Sequence, residues 1–206
     1  MSYKTATQAS YQATAEEFAR NVADLAPMES IQKFAGLLPP KAKIIDIGCG
    51  SGRDAKIFTE MGLSVLGVDF CENLIDIAKN NAPLAKFEVL DIETATFAPA
   101  SFDGVWACCS LLHIPKKTLP DVLKKIYSML KEGGCFYIAL KKGSGETLEK
   151  DSRYEGGDFI KFWSFFEEKE LQELLKTAKF KVLDCATVHK EGKYQTHPGV
   201  RVFCQK

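Results

Sequence analysis

The chain has no excess of charge of either sign: Lys plus Arg and Asp plus Glu stand at 27 each. A protein that draws its affinity from neutralising phosphates normally carries a basic surplus, so the balance disfavours nucleic acid as the main partner. Long apolar runs are missing as well. No stretch approaches the roughly 20 apolar residues that span a bilayer, and Met1 to Tyr11 is polar where a signal peptide would be apolar. Paired cysteines at metal or redox spacing are absent. The seven cysteines include no CxxC, and the adjacent Cys108 and Cys109 suit neither a disulfide nor a zinc knuckle. These absences predict a cytoplasmic protein with reduced, mostly buried thiols, no membrane partner and no bound metal. Internal repeats and low-complexity tracts are lacking too.

What remains is a composition of 46% hydrophobic and 26% charged residues, typical of a folded globular chain long enough to bury a real core. One domain over 1–206 is expected, with a helical segment at 1–40 and an α/β core at 41–206. In the helical segment Ala15, Phe18, Ala19, Val22 and Leu25 recur at helical spacing. Ile31, Phe34, Leu37 and Leu38 mark a second helix that stops at Pro39-Pro40. Strands and helices then alternate. Strands are predicted at 44–47, 64–68, 87–90, 102–108 and 135–140, with helices at 53–61, 72–80 and 119–130 between them. A polar loop at 142–158, a helix at 167–178 and two strands at 180–188 and 200–204 complete the chain. The alternation requires crossover connections and a mainly parallel, doubly wound sheet with helices on both faces. The last two strands have no helix between them and should pair as an antiparallel hairpin.

Ligands of such a sheet bind beyond the carboxyl ends of the strands, where strand order reverses. The first strand runs into Asp46-Ile47-Gly48-Cys49-Gly50-Ser51-Gly52, whose alternate glycines let the backbone turn tightly and approach a ligand. Two common nucleotide motifs are missing here. Arg53 stands where a dinucleotide fingerprint needs its third glycine, and no G-x-x-x-x-G-K-[ST] run exists. Asp69, at the end of the second strand, can accept hydrogen bonds from ribose hydroxyls. Asp91-Ile92, at the end of the third, can meet an adenine ring with a carboxylate and an apolar face.

With these residues the chain resembles the class I S-adenosylmethionine-dependent methyltransferases, of the small stand-alone bacterial kind. The resemblance runs over nearly the whole chain. It covers Ile45 to Asp54, Gly67-Val68-Asp69, Leu90-Asp91-Ile92, Phe102 to Ala107, Leu111 to Pro115 and Leu130 to Gly134. It implies a Rossmann-like sheet of seven strands with the last antiparallel, S-adenosylmethionine as methyl donor and S-adenosylhomocysteine as product. It further implies that Gly48 and Gly50 meet the amino-acid end of the donor, Asp69 the ribose and Asp91-Ile92 the adenine, with Tyr11 reaching over the donor. The donor-binding set on this reading is Asp46, Gly48, Cys49, Gly50, Arg53, Asp69, Phe70, Asp91, Ile92, Cys108 and Tyr11.

Methyl transfer from an activated sulfonium needs placement of the acceptor and exclusion of water more than covalent help. After the fourth strand the chain lacks the Asn/Asp-Pro-Pro-Tyr run used on exocyclic amines of bases. It also lacks the Pro-Cys nucleophile of pyrimidine carbon chemistry. Both absences favour a small-molecule acceptor with an oxygen, nitrogen or sulfur nucleophile. His113 is the candidate base or positioning group, because its ordinary pKa suits proton transfer near neutrality. Glu146, Arg153 and Tyr154 are acceptor-side candidates on the polar loop. The aromatic run at Phe159, Phe162, Trp163, Phe165 and Phe166 fits either core packing or an acceptor pocket. His189 and His197 read as surface residues. Other readings are a non-catalytic module of the same fold, an RNA or protein methyltransferase, and an NAD-dependent oxidoreductase. Sequence leaves open the acceptor, the atom methylated and the choice between monomer and dimer.

Overall fold

A computed structural model describes residues 2–189 and 194–206. Helix α1 spans Tyr3–Val22 and is capped by Ser2, whose hydroxyl accepts from the Thr5 N–H at 3.1 Å. Helix α2, Met28–Gly36, follows Pro27 and ends ahead of Pro39-Pro40. The core then runs β1 (Lys43–Ile47), α3 (Arg53–Glu60), β2 (Ser64–Asp69), α4 (Glu72–Asn81), β3 (Lys86–Val89), β4 (Phe102–Cys108), α5 (Leu119–Met129) and β5 (Leu130–Lys141). A short hairpin, β6 (Glu146–Lys150) with β7 (Ile160–Ser164), precedes α6 (Glu168–Thr177), β8 (Lys181–Val188) and β9 (Gly199–Gln205).

The main sheet has seven strands in the order β3-β2-β1-β4-β5-β9-β8. β1 to β5 pair in parallel, and β9 enters antiparallel between β5 and β8. This is the doubly wound, mostly parallel sheet expected from the alternation of elements. Strand order reverses between β1 and β4, so the crevice predicted for a ligand opens at their carboxyl ends.

Each face of the sheet is covered because the central strands are apolar on both sides. On one face Ile45, Val105, Phe136 and Ile138 pack with Leu123 and Ile126 of α5 and Leu171 and Leu175 of α6. On the other, Ile44, Trp106, Tyr137 and Phe203 meet Ile31 and Phe34 of α2 and Phe58 of α3. Trp106 stacks on Tyr137 at 3.9 Å between centroids, and its indole N–H donates to the Asp54 carboxylate at 2.9 Å. The indole is thus fully buried with its one donor satisfied.

Two elements differ from the sequence expectation. β5 begins at Leu130 rather than near Cys135, turning through Gly133 at φ 74°. The segment 142–158 predicted as a polar loop contains β6, which pairs with the unpredicted strand β7 just after it, Glu146 with Ser164 and Lys150 with Ile160. The β6 sequence ETLEK lacks the apolar alternation that marks a half-buried strand, and most of it faces outward. It pairs because β7 is anchored by its buried aromatic side chains. No helix among the described residues is long and apolar enough to cross a membrane.

Phe34, completely buried, touches both Phe58 and Trp106. Phe34→Ala should therefore lower stability by about 3–5 kcal/mol, read as a shifted urea midpoint.

Candidate functional site

The carboxyl ends of β1, β2, β4 and β5 open into a cavity of about 610 Å³ roofed by α1. Its floor is the glycine-rich turn. Gly48, Gly50 and Gly52 have φ of 70°, 54° and 79°, a region that only glycine enters without strain. Space forbids side chains as well, since a methyl group on Gly48 would lie 2.2 Å from the Ser110 Cβ. The Gly48 N–H donates to the Val68 carbonyl at 2.7 Å, tying the turn to β2.

Asp69 holds this turn from the side. One carboxylate oxygen accepts from the Gly50 N–H at 3.0 Å and the other from the Cys71 N–H at 2.9 Å. Burial raises its pKa to about 6 against those stabilising hydrogen bonds. Asp46, also buried, is pushed well above the usual carboxylate range by desolvation and then by the neighbouring Asp54. Arg53 offsets part of this charge. Its Nε donates to Asp54 at 2.7 Å, and a terminal nitrogen reaches the Val22 carbonyl at the end of α1 at 3.3 Å. Cys49 and Phe70 line the same cavity, and the Phe70 carbonyl accepts from Gln8 of α1.

Asp91 and Ile92 lie where predicted, beyond β3, and both border the cavity. Asp91 accepts from the Glu93 N–H at 2.9 Å and from the Lys4 ammonium at 2.6 Å. Lys4 also pairs with Glu93 at 2.7 Å, and the Tyr3 hydroxyl donates to the same carboxylate. The first turn of α1 is thus clasped to the β3 end of the site. Further along α1, the Tyr11 hydroxyl lies 2.9 Å from His113 Nε2.

His113 joins three elements. Its Nδ1 lies 2.7 Å from the Phe162 carbonyl, which can only accept, so Nδ1 carries the proton and Nε2 accepts from Tyr11. Burial lowers its pKa to about 3, and the nearby Lys161, Lys141 and Arg153 push in the same direction. Of the two roles expected for His113, base or positioning group, the geometry disfavours the base. Its free lone pair is taken by Tyr11, and cations on the cavity wall oppose its protonation. Its place is that of a positioning residue that sets Tyr11.

β4 ends at Cys108 and the chain turns at Cys109, which has φ 56°. Both border the cavity, and a hydrogen bond between the thiols raises Cys108 while lowering Cys109. The opposite wall carries Lys141, Arg153, Trp163 and Tyr194. Arg153 donates twice to Asp151, at 2.7 and 2.6 Å, and Lys161 reaches the same carboxylate at 2.9 Å.

Comparison with known proteins accords with this arrangement. A family model described as a methyltransferase domain matches residues 44–134. A ubiquinone biosynthesis O-methyltransferase of Coxiella burnetii is 33% identical over 161 residues, covering 71% of this chain and 66% of that protein. Phosphoethanolamine N-methyltransferase 1 of Zea mays is 32% identical over 123 residues, which are 57% of this chain. The chain spans about a quarter of that plant protein's length, the matched part being 24% of it. Among solved structures, a SAM-dependent methyltransferase from Methanosarcina mazei superposes with a TM-score of 0.74 at 25% identity. The match covers 89% of this chain and 98% of that one. The chain belongs to the class I S-adenosylmethionine-dependent methyltransferases.

In this methyltransferase domain all eleven donor-side residues expected from sequence border the one cavity. The acceptor-side candidates divide. Arg153 borders it, whereas Glu146 sits outside on β6, accepting from the Lys116 N–H at 2.6 Å. Tyr154 is buried behind the wall with its hydroxyl 2.8 Å from that of Tyr194. These two are corrected, because the hairpin turns Glu146 outward and folds Tyr154 into the packing beneath Arg153. The aromatic run is mostly packing: Phe162, Phe165 and Phe166 are buried and only Trp163 among the run reaches the cavity. His189 and His197 are exposed as expected, yet both stand at the cavity rim. Sequence reasoning missed Lys4, Gln8, Lys141 and Tyr194. A lysine on a helical face or at a strand end carries no motif, so only the fold brings these together.

The folded pKa of His113, about 3, lies below its unfolded value of 6.5. Between these values the unfolded chain binds more protons, so this group's contribution is full above pH 6.5 and is lost as pH falls toward 3. In nitrogen-detected NMR of the folded protein the ring should stay in the Nδ1–H tautomer from pH 8 down to about pH 5. A protonation step near pH 6.5 would contradict the assignment.

Proposed function

We propose that the chain transfers a methyl group from S-adenosylmethionine to an oxygen, nitrogen or sulfur atom of a small molecule. The observation that carries this reading is the buried carboxylate array at the glycine turn. Asp46 and Asp69 both hold pKa values displaced upward by burial, in a cradle that any Cβ at Gly48 would fill. A cationic ligand with a slender amino-acid end suits such a cradle, because its charge relieves the crowding of carboxylates. On this reading Gly48, Gly50 and Asp46 hold the amino-acid end, Asp69 the ribose hydroxyls, and Asp91, Ile92 and Phe70 the adenine. When bound, the donor supplies a methyl group on a positively charged sulfur that leaves as a neutral thioether.

The chain's own part is placement and shielding. α1 covers the cavity and excludes water, with the Lys4 clasp at one end and Tyr11 against His113 further along. Trp163, under the Lys141 ammonium, and Tyr194, under the Arg153 guanidinium, line the acceptor side. A cleft roofed by a helix favours a small acceptor over a polymer. The relatives support this class: their names place one in ubiquinone biosynthesis and the other on phosphoethanolamine. The free thiols of all seven cysteines suit a reducing compartment, and we infer a cytoplasmic setting.

Asp69→Ala removes a carboxylate that anchors the turn and, on this reading, the ribose. Affinity for S-adenosylhomocysteine should fall at least about 30-fold by calorimetry, since hydrogen bonds to a charged group contribute roughly 2 kcal/mol. Undiminished binding in the folded variant would put the donor elsewhere. Release of S-adenosylhomocysteine should appear with members of a small-molecule library, whereas turnover on tRNA or protein alone would overturn the acceptor class.

A further inference from the structure

The cavity is divided by charge. The donor side, at the ends of β1 to β3, gathers Asp46, Asp54, Asp69 and Asp91. The facing wall gathers cations instead. Lys141, at the end of β5, lays its ammonium 3.4 Å from the centroid of the Trp163 ring. No carboxylate oxygen of the described residues lies within 4.0 Å of it. Next to it Arg153 sits 5.3 Å from Trp163 and 4.5 Å from Tyr194. Asp151 is the carboxylate shared by Arg153 and Lys161, so it satisfies one positive charge of the three. Lys161 faces the Tyr11 ring at 3.9 Å.

Half-buried cations without a matching anion are costly, because burial favours the neutral amine. The Lys141 pKa is indeed lowered to about 8, by desolvation first and by Arg153 next. An aromatic face softens this cost without neutralising the charge. Such a group is relieved when an anionic oxygen enters the cavity beside it, and a charge-assisted hydrogen bond is among the stronger neutral-pH contacts.

We propose that Lys141, with Arg153 beside it and Trp163 beneath, forms an anion subsite, and that the methyl acceptor is a small planar molecule bearing a carboxylate or phosphate. This rests on the methyltransferase reading for the identity of the ligand as acceptor. The anionic group docks on Lys141 while the ring lies along Trp163 and Tyr194, which leaves the nucleophile directed toward the donor side. Acceptors lacking the anion leave a partly desolvated ammonium unpaired and so bind weakly. The same division of charge keeps the cationic donor out of the acceptor pocket.

The test uses the intact protein loaded with S-adenosylhomocysteine. Calorimetry with two matched pairs, benzoate against benzamide and phenyl phosphate against phenol, reads the preference directly. At least one anion should bind about tenfold more tightly than its neutral partner. Which anion leads separates a carboxylate site from a phosphate site. In Lys141→Met the preference should shrink to within about threefold while affinity for S-adenosylhomocysteine is kept. Equal binding of anionic and neutral partners, no binding of either anion at millimolar concentration, or a preference that survives Lys141→Met would each overturn the subsite. Failure to bind S-adenosylhomocysteine at all would sink the donor reading instead, so the two failures are told apart.

Discussion

The Asp69 carboxylate is the contact on which the site's geometry depends. Its two oxygens take N–H groups from two different segments, Gly50 in the turn after β1 and Cys71 at the start of α4. A buried carboxylate satisfied by backbone donors behaves as a rivet: breaking either bond leaves a charge or a donor unpaired in low dielectric. With β1 and β2 already in register, from Lys43 opposite Ser64 to Ile47 opposite Val68, the rivet fixes the turn relative to the sheet. Gly48 is then held so close to Ser110 that the β4 end is located too. The three strand ends that form the floor of the cavity are thereby placed within one connected set of hydrogen bonds and contacts.

This placement has an electrostatic cost that shapes the rest of the cavity. Asp54 and Asp69 both work against the charge on Asp46, and the fold answers with Arg53 and with the Trp106 N–H on Asp54. Neither reaches across the cavity. The opposite wall carries the inverse surplus, with Lys141 against an aromatic ring rather than a carboxylate. Two surpluses of opposite sign on facing walls attract through the space between them, yet they remain apart because rigid strand ends hold each in place. A preorganised field of this kind costs little reorganisation when a polar ligand enters. It also orients any ligand whose two ends differ in charge.

Much of the fold was legible because its signals are local. Ile44 to Ile47 before the glycines, Pro39-Pro40 after α2 and the spacing of Leu171, Leu174 and Leu175 each act within a few residues. That Gly48, Gly50, Asp69 and Asp91 meet was legible for a related reason: they sit at strand ends, where topology alone sends them to one crevice. The acceptor side was not. Glu146 looked like a cavity residue until pairing with Ser164 turned it outward, a register that no residue in ETLEK announces. Lys141 is one of many lysines in the chain, and its place over the Trp163 ring is a contact that no local motif marks. His113 does border the cavity, but its surroundings depend on Tyr11 and Phe162, which lie 102 and 49 residues away.

Helix α1 links these parts. Near its start, Tyr3 and Lys4 hold Asp91 and Glu93 on the donor side; at Tyr11 it meets His113, and Thr7 accepts the Phe162 N–H at 3.0 Å. Ser10 donates to the Ile160 carbonyl at 2.6 Å, so the same helix also carries the β7 strand that supports Trp163. Contacts to both walls come from one rigid element. Shifting α1 away from the donor side therefore breaks bonds to the acceptor wall in the same motion. The two halves of the cavity are mechanically coupled without touching each other. His113 keeps that coupling intact across the neutral range, because its buried imidazole stays uncharged and so remains an acceptor for the Tyr11 hydroxyl. Of the two roles open to it in the sequence, base or positioning group, the buried ring fits the one that takes up no proton.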